Sequence, residues 1–162
     1  MNKVMIIGCP GSGKSTFARN LHKKTHLPLY YLDMLWHKPD RTTISRDEFD
    51  LLLKEIIIKD HWIIDGNYSR TLEIRCEYCD SIFFLNLSSE ECLKGITERI
   101  GKEREDMPWI ENTLDEDFKQ RVIDFKEKEV PKINKLLDKY KDTREIIVFT
   151  DRNQINKYLD EL

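Results

Sequence analysis

One stretch near the start of the chain, Gly8-Cys9-Pro10-Gly11-Ser12-Gly13-Lys14-Ser15-Thr16, limits what it can fold into more than any other. It fits the phosphate-binding pattern G-x-x-x-x-G-K-[ST]. Its glycines adopt backbone angles that other residues resist, so successive N–H groups turn inward around a phosphate. Lys3-Val4-Met5-Ile6-Ile7 before it reads as a short buried strand. Phe17-Ala18-Arg19-Asn20-Leu21 after it continues as a helix whose positive end faces the same place. The pattern therefore assigns Gly8, Pro10, Gly11, Ser12, Gly13, Lys14, Ser15 and Thr16 to holding the phosphates of ATP. Lys14 is a mobile point charge for the outer phosphates, and the Ser15 hydroxyl is a ligand for Mg²⁺.

Strand and helix patterns alternate beyond this point. Leu27–Leu32 reads as a second strand ending in Asp33, and His61–Ile64 as a third ending in Asp65-Gly66. Ser81–Leu87 reads as a fourth and Glu145–Phe149 as a fifth. Ser45 with Glu48, Ser88 with Glu91, and Thr113 with Glu116 have the spacing of capping boxes that open helices. Phe49, Leu52, Leu53, Ile56 and Ile57 share one helical face, as do Leu114, Phe118, Val122 and Phe125. Pro131 is expected to kink or end that last helix, with Ile133, Leu136, Leu137 and Tyr140 continuing the stripe. Apolar strands separated by helices predict an α/β chain: a five-stranded parallel sheet covered on both faces, which with the P-loop makes a three-layer P-loop NTPase fold. The 162 residues suit one domain, 1–162.

Ligands in such sheets bind at the carboxyl ends of the strands, which puts the P-loop, Asp33 and Asp65 on one rim. Asp65 stands where a second acidic group for Mg²⁺ is expected, and Asp33 is positioned to hold an acceptor hydroxyl or take its proton. Phosphoryl transfer needs positive charge on the equatorial oxygens, and Arg70, Arg99 and Arg104 are the candidates. The candidate catalytic set is thus Lys14, Asp33, Asp65, Arg70 and Arg99, with Ser15 and Asp65 for the metal. The polar stretch from 99 to 112 interrupts the rhythm between two helices and holds Pro108. It is a candidate lid, although Glu103, Glu105 and Asp106 dilute its positive charge. Trp36 and Tyr31 flank Asp33 as a possible aromatic wall.

Several function classes are disfavoured. A net charge of −3 is a poor footprint for a protein whose main partner is nucleic acid. No apolar run is long enough to span a membrane. The first strand begins almost at once, leaving no room for a signal peptide, so a cytoplasmic location is expected. Cys76-Glu77-Tyr78-Cys79 is a single CxxC without the second pair that a zinc ribbon needs, so Cys9, Cys76, Cys79 and Cys92 are expected as free thiols.

Asp33-Met34-Leu35 resembles the acceptor-side strand end of the adenylate-kinase-like P-loop kinases. Trp62-Ile63-Ile64-Asp65-Gly66-Asn67-Tyr68-Ser69-Arg70-Thr71 resembles their strand-Asp-Gly-Phe-Pro-Arg-Thr segment, with one extra residue and no proline. Over nearly its whole length the chain resembles the bacterial proteins labelled DNA topology modulation proteins. The shared features are Leu32-Asp33 with Trp36 and Lys38-Pro39, then Asp65-Gly66-Asn67-Tyr68, then Asp106-Met107-Pro108. The resemblance implies that the fold is of the nucleoside/nucleotide-kinase-like type with ATP at the P-loop, and matches Arg70 to a phosphate-contacting arginine. The label implies an effect on DNA topology, for which these residues supply no mechanism.

The leading expectation is an ATP-dependent kinase that moves the γ-phosphate to a nucleotide, nucleoside or other small acceptor. A nucleic-acid-associated ATPase or regulator is the alternative. A GTPase switch is less favoured, because Asn134–Asp138 and Asn156–Asp160 each hold one residue too many for the guanine-reading Asn-Lys-x-Asp and lie inside helical patterns.

Overall fold

The computed structural model describes residues 1–162. The chain runs β1 (Lys3–Gly8), α1 (Lys14–Thr25), β2 (Leu29–Tyr31), α2 (Leu32–Trp36) and α3 (Arg46–Ile57). It continues through β3 (Trp62–Asp65), a 3₁₀ turn at Ser69–Thr71, α4 (Leu72–Tyr78), β4 (Ser81–Leu85) and α5 (Ser89–Glu98). After a long loop come α6 (Glu116–Lys128), α7 (Val130–Tyr140), β5 (Glu145–Phe149) and α8 (Arg152–Glu161). All strand pairs are parallel, in the order β2-β3-β1-β4-β5. Every residue of β3 and β4, and all of β1 after Lys3, is buried. Strands buried on both faces require helices on both faces, which gives the three-layer α/β P-loop architecture expected from the sequence.

The edge strands differ. β5 is partly exposed, and β2 has only three half-buried residues. This shortness corrects the predicted strand from Leu27 to Leu32. Helix α2 begins at Leu32, so Asp33 lies in the first turn of a helix and does not end a strand. Phe17 of α1, Phe83 of β4, Phe149 of β5 and Tyr158 of α8 form one aromatic cluster, with Phe17 and Phe83 4.9 Å apart edge to face. Burying each phenylalanine stabilises the fold by roughly 1.5–3 kcal/mol. The cluster ties the helix behind the phosphate loop to α8 and to the β5 edge on one face of the sheet.

Two of the three predicted capping boxes form. Ser45 and Glu48 cap α3 reciprocally, and Ser88 and Glu91 cap α5. The third does not. Helix α6 starts later, capped two residues further on by Asp115 through its bond from the Asp117 N–H. Pro131 sits in the first turn of α7, where a missing N–H costs nothing, and the chain bends between α6 and α7 just before it. Helix α4 escapes the periodicity argument, being a single short segment with a buried arginine on its inner face. All four cysteines are buried free thiols. No helix is long and apolar enough to cross a membrane.

Candidate active site

A cavity of about 910 Å³ opens across the carboxyl ends of β1 and β3, and Lys14, Ser15, Asp33, Asp65 and Arg99 all line it. On one side the phosphate loop joins β1 to α1. Gly13 occupies the left-handed region at φ 94° and precedes α1 with no side-chain cap and no acid in the first turn. Helices α3, α5, α6 and α8, by contrast, each receive a side-chain cap. The first N–H groups of α1 thus lack an internal partner and face the cavity, as an anion site requires. Lys14 Nζ reaches back to the Cys9 carbonyl at 3.1 Å. Gly11, at φ 83°, packs directly on α5: a Cβ there would lie 2.1 Å from the Cys92 carbonyl oxygen. A Cβ on Gly95 would lie equally close to the Gly11 carbonyl oxygen. The loop is thus held by backbone-to-backbone contact that no larger residue permits.

Asn67 braces the same loop from β3. Its side-chain oxygen accepts from the Gly8 N–H at 3.0 Å, and its amide donates to the Gly8 carbonyl at 2.7 Å. Buried Arg75 of α4 in turn holds the Gly66-Asn67-Tyr68 segment. It donates to the Gly66 carbonyl at 2.8 Å, to those of Asn67 and Tyr68, and to Thr71. Burial pulls its guanidinium down to about 10, with Cys76, Cys79 and Asp65 opposing. Sequence reasoning did not single out Arg75. A buried cation four residues into an unremarkable segment has no local signature.

The Ser15 hydroxyl lies 2.6 Å from Asp65 Oδ2 and 3.1 Å from Asp106 Oδ2, and its one proton serves one of them at a time. Asp65 is 5% exposed, and its Oδ1 is buried without a hydrogen-bond partner. Burial pushes its carboxyl up to about 6, against the pull of Lys14 and Ser15. Burial works to raise Asp106 as well, but the hydrogen bonds and charge of Arg104 prevail and hold it below the usual range. An orphaned carboxylate oxygen beside a hydroxyl, both hard oxygen donors, fits Mg²⁺. No group of three or more His, Cys, Asp or Glu side chains gathers to form a closed metal cage. In the sequence Asp106 stands as an acid diluting the loop's charge and as part of the resembling Asp106-Met107-Pro108, with no role toward the P-loop. The loop folds it back against the P-loop.

Residues 101–115 form no helix or strand but are tied down. The Gly101 N–H donates to the Glu111 carbonyl at 2.7 Å. Arg104 pairs with Asp106 at 2.9 Å and with Glu111 at 2.7 Å. Arg99 Nε lies 3.0 Å from Glu111 Oε2, close enough for an ion pair though not aligned as a hydrogen bond, and its guanidinium stands over the Phe118 ring. Burial, then the charge of Arg104, lower its pKa.

On the other side of the cavity, Asp33 Oδ1 accepts from the Tyr68 hydroxyl at 2.7 Å. Tyr68 stacks on Phe49 at 5.0 Å, and Trp36 meets both rings edge to face. Burial, then the Asp33 charge, raises the Tyr68 phenol, so it stays a donor. Trp109 closes the wall against His37, 5.0 Å away. Arg70 is not part of this arrangement. It forms a two-pronged pair with Asp50 at 2.8 and 2.9 Å and lines a separate cleft of about 230 Å³. The extra residue before Arg70, with Tyr68 in the left-handed region at φ 38°, turns it outward toward α3.

No family model matches the chain, and no curated protein matches it in sequence. Solved structures do match in fold. Shikimate kinase from Acinetobacter baumannii, solved in complex with shikimate, aligns with a TM-score of 0.63 and 14% identity, covering 99% of this chain and 92% of that one. Shikimate kinase from Bacteroides thetaiotaomicron aligns with a TM-score of 0.57 and 18% identity, covering 98% and 94% respectively. At these identities the likeness speaks for the fold alone.

Proposed function

We propose that this chain is an ATP-dependent kinase that transfers the γ-phosphoryl group to a hydroxyl of a small molecule. One observation carries the reading: an uncapped helix N-terminus behind a P-loop, the Ser15–Asp65 pair and the Asp33–Tyr68 pair all line one cavity. Pro10, Gly11 and Gly13–Thr16, which line the cavity, hold the phosphates, and Lys14 leaves the Cys9 carbonyl for the outer ones; Gly8, with both backbone groups bonded to Asn67, and buried Ser12 shape the loop without reaching the phosphates. Ser15 and Asp65 hold Mg²⁺, which neutralises charge on the bound phosphates. Asp33, oriented by Tyr68, fixes the acceptor hydroxyl and takes its proton. Residues 99–112 act as the lid that excludes water, and Arg99 and Arg104 exchange Glu111 and Asp106 for phosphate oxygens as it closes. The solved structures of similar fold are named shikimate kinases, one of them in complex with shikimate, in keeping with a kinase of a small molecule.

The test is ADP release by the purified chain with ATP and Mg²⁺ across nucleosides, nucleoside monophosphates and small alcohols. Acceptor-dependent release well above the rate with water alone is expected. Release stimulated by DNA, and weakening steeply with salt, would select the nucleic-acid-associated ATPase instead.

A further inference from the structure

From the charge and ring content of the acceptor side we infer that the acceptor is an uncharged, ring-bearing hydroxyl compound, with a nucleoside as its nearest probe, and not an anion such as a nucleoside monophosphate. The inference rests on the kinase reading above. Recognising an anionic acceptor takes at least one free cation, usually an arginine presented as a fork. On this side no arginine is left over for the acceptor, since Arg99 and Arg104 are held by acids at rest and, in the kinase reading, turn to the transferring phosphoryl group. Arg70 is turned away onto Asp50. Arg19 faces Glu105 at 3.4 Å, and Arg99 and Arg104 share Glu111, with Arg104 also on Asp106. The cations left in the cavity stand elsewhere. Lys14 and Arg152 lie against the P-loop, Arg152 donating to the Gly11 carbonyl at 3.3 Å. Arg121 lies over Phe118, and Lys102 is on the exposed part of the lid. Arg41 is the nearest counter-argument. It stands 5.9 Å over the Trp109 ring, but it is exposed and does not line the cavity.

What the acceptor side does present is a carboxylate and aromatic faces. Asp33, Trp36 and His37 come from one turn, since the His37 N–H donates to the Asp33 carbonyl at 3.0 Å. Tyr68 is bonded to Asp33, and Trp109 covers His37. Phe49 backs Tyr68 and Trp36, so these rings are held in place and present a flat ligand with preorganised surfaces. An added phosphate would be desolvated beside Asp33 with no partner, a like-charge juxtaposition that disfavours binding. In the reaction the acceptor hydroxyl oxygen bonds to the γ-phosphorus, and the bond from that phosphorus to the β,γ-bridging oxygen breaks. ADP leaves with the electron pair, and the hydroxyl proton passes to Asp33.

The experiment measures kcat/KM by ADP release, with ATP and Mg²⁺ saturating, for matched pairs of a nucleoside and its 5′-monophosphate. Shikimate serves as an anionic ring alcohol and glycerol as a neutral alcohol without a ring. The nucleosides are expected to exceed their monophosphates by about 100-fold. Trp109→Ala should raise KM for the nucleoside while ATP affinity is unchanged. Parity with, or preference for, the monophosphates or shikimate overturns the inference and leaves the kinase reading standing. If Arg41→Ala then removes that preference, Arg41 is the missing cation. Preference for glycerol overturns the ring requirement. Release of ADP with no member of the panel, although ATP binds, overturns the kinase reading and this inference with it.

Discussion

The two sides of the cavity are built on different principles. The donor side is backbone: one unbroken stretch from Gly8 to Thr16, shaped by glycine angles and seated on α5 where Gly11 meets Gly95. The acceptor side is side chains drawn from distant segments, with Asp33 and Trp36 on α2, Tyr68 after β3 and Trp109 in the loop before α6. A backbone site tolerates little variation in conformation and recognises what every nucleoside triphosphate shares. A side-chain site can be changed one residue at a time, so under the proposed function specificity would reside there.

Four substitutions probe this contrast. The largest effect is expected from Lys14→Ala. Losing a cation that acts on the transferred phosphate is worth roughly 10³–10⁵ in rate. Steady-state turnover measures it, and an unaltered melting curve shows that the fold is intact. Unchanged turnover would remove the P-loop as the chemical site. Asp33→Asn comes next and separates the two sides. Turnover should fall by roughly 10²–10⁴ while ATP affinity, read by calorimetry, stays near wild type. An equal loss of ATP affinity would mean that the sides are not independent.

Gly95→Ala tests the donor side through its support. The new methyl would meet the Gly11 carbonyl, and overpacking of this kind costs about 1–3 kcal/mol. Denaturant unfolding should show that loss, together with weaker ATP binding and an unchanged acceptor KM. A variant as stable as wild type would mean that α5 yields easily and the loop is not seated on it. The smallest effect is expected from Arg70→Ala. Its partner is exposed and its cleft lies apart from the cavity, so turnover and melting temperature should match wild type. A large drop in turnover would show that Arg70 swings from Asp50 into the site during the reaction.

Much of this arrangement was legible beforehand, for local reasons. The P-loop announces itself because glycine spacing, strand and helix are contiguous. The capping boxes at Ser45 and Ser88 are legible because both partners lie within four residues. The box expected at Thr113 failed to a competing local signal, Asp115, which caps the same helix two residues further on. Tyr68 and Asp106 were visible only as parts of a family resemblance, Asp106 also as an unwanted charge, and neither with its partner. Their partners, Asp33 and Ser15, stand 35 and 91 residues away in the chain.

The sequence by itself determined the parallel sheet, the phosphate loop and the rim on which Asp65 lies. Each follows from periodicity or from backbone angles within a few consecutive residues. Only the tertiary structure decided that Asp106 returns to Ser15, that Arg75 supports the loop carrying Tyr68, and that Arg70 leaves the cavity for Asp50. The physical reason lies in what each group needs. Backbone conformation is chosen by neighbours along the chain, whereas a charged or hydroxyl-bearing side chain takes whichever distant partner the packed fold brings within about 3 Å.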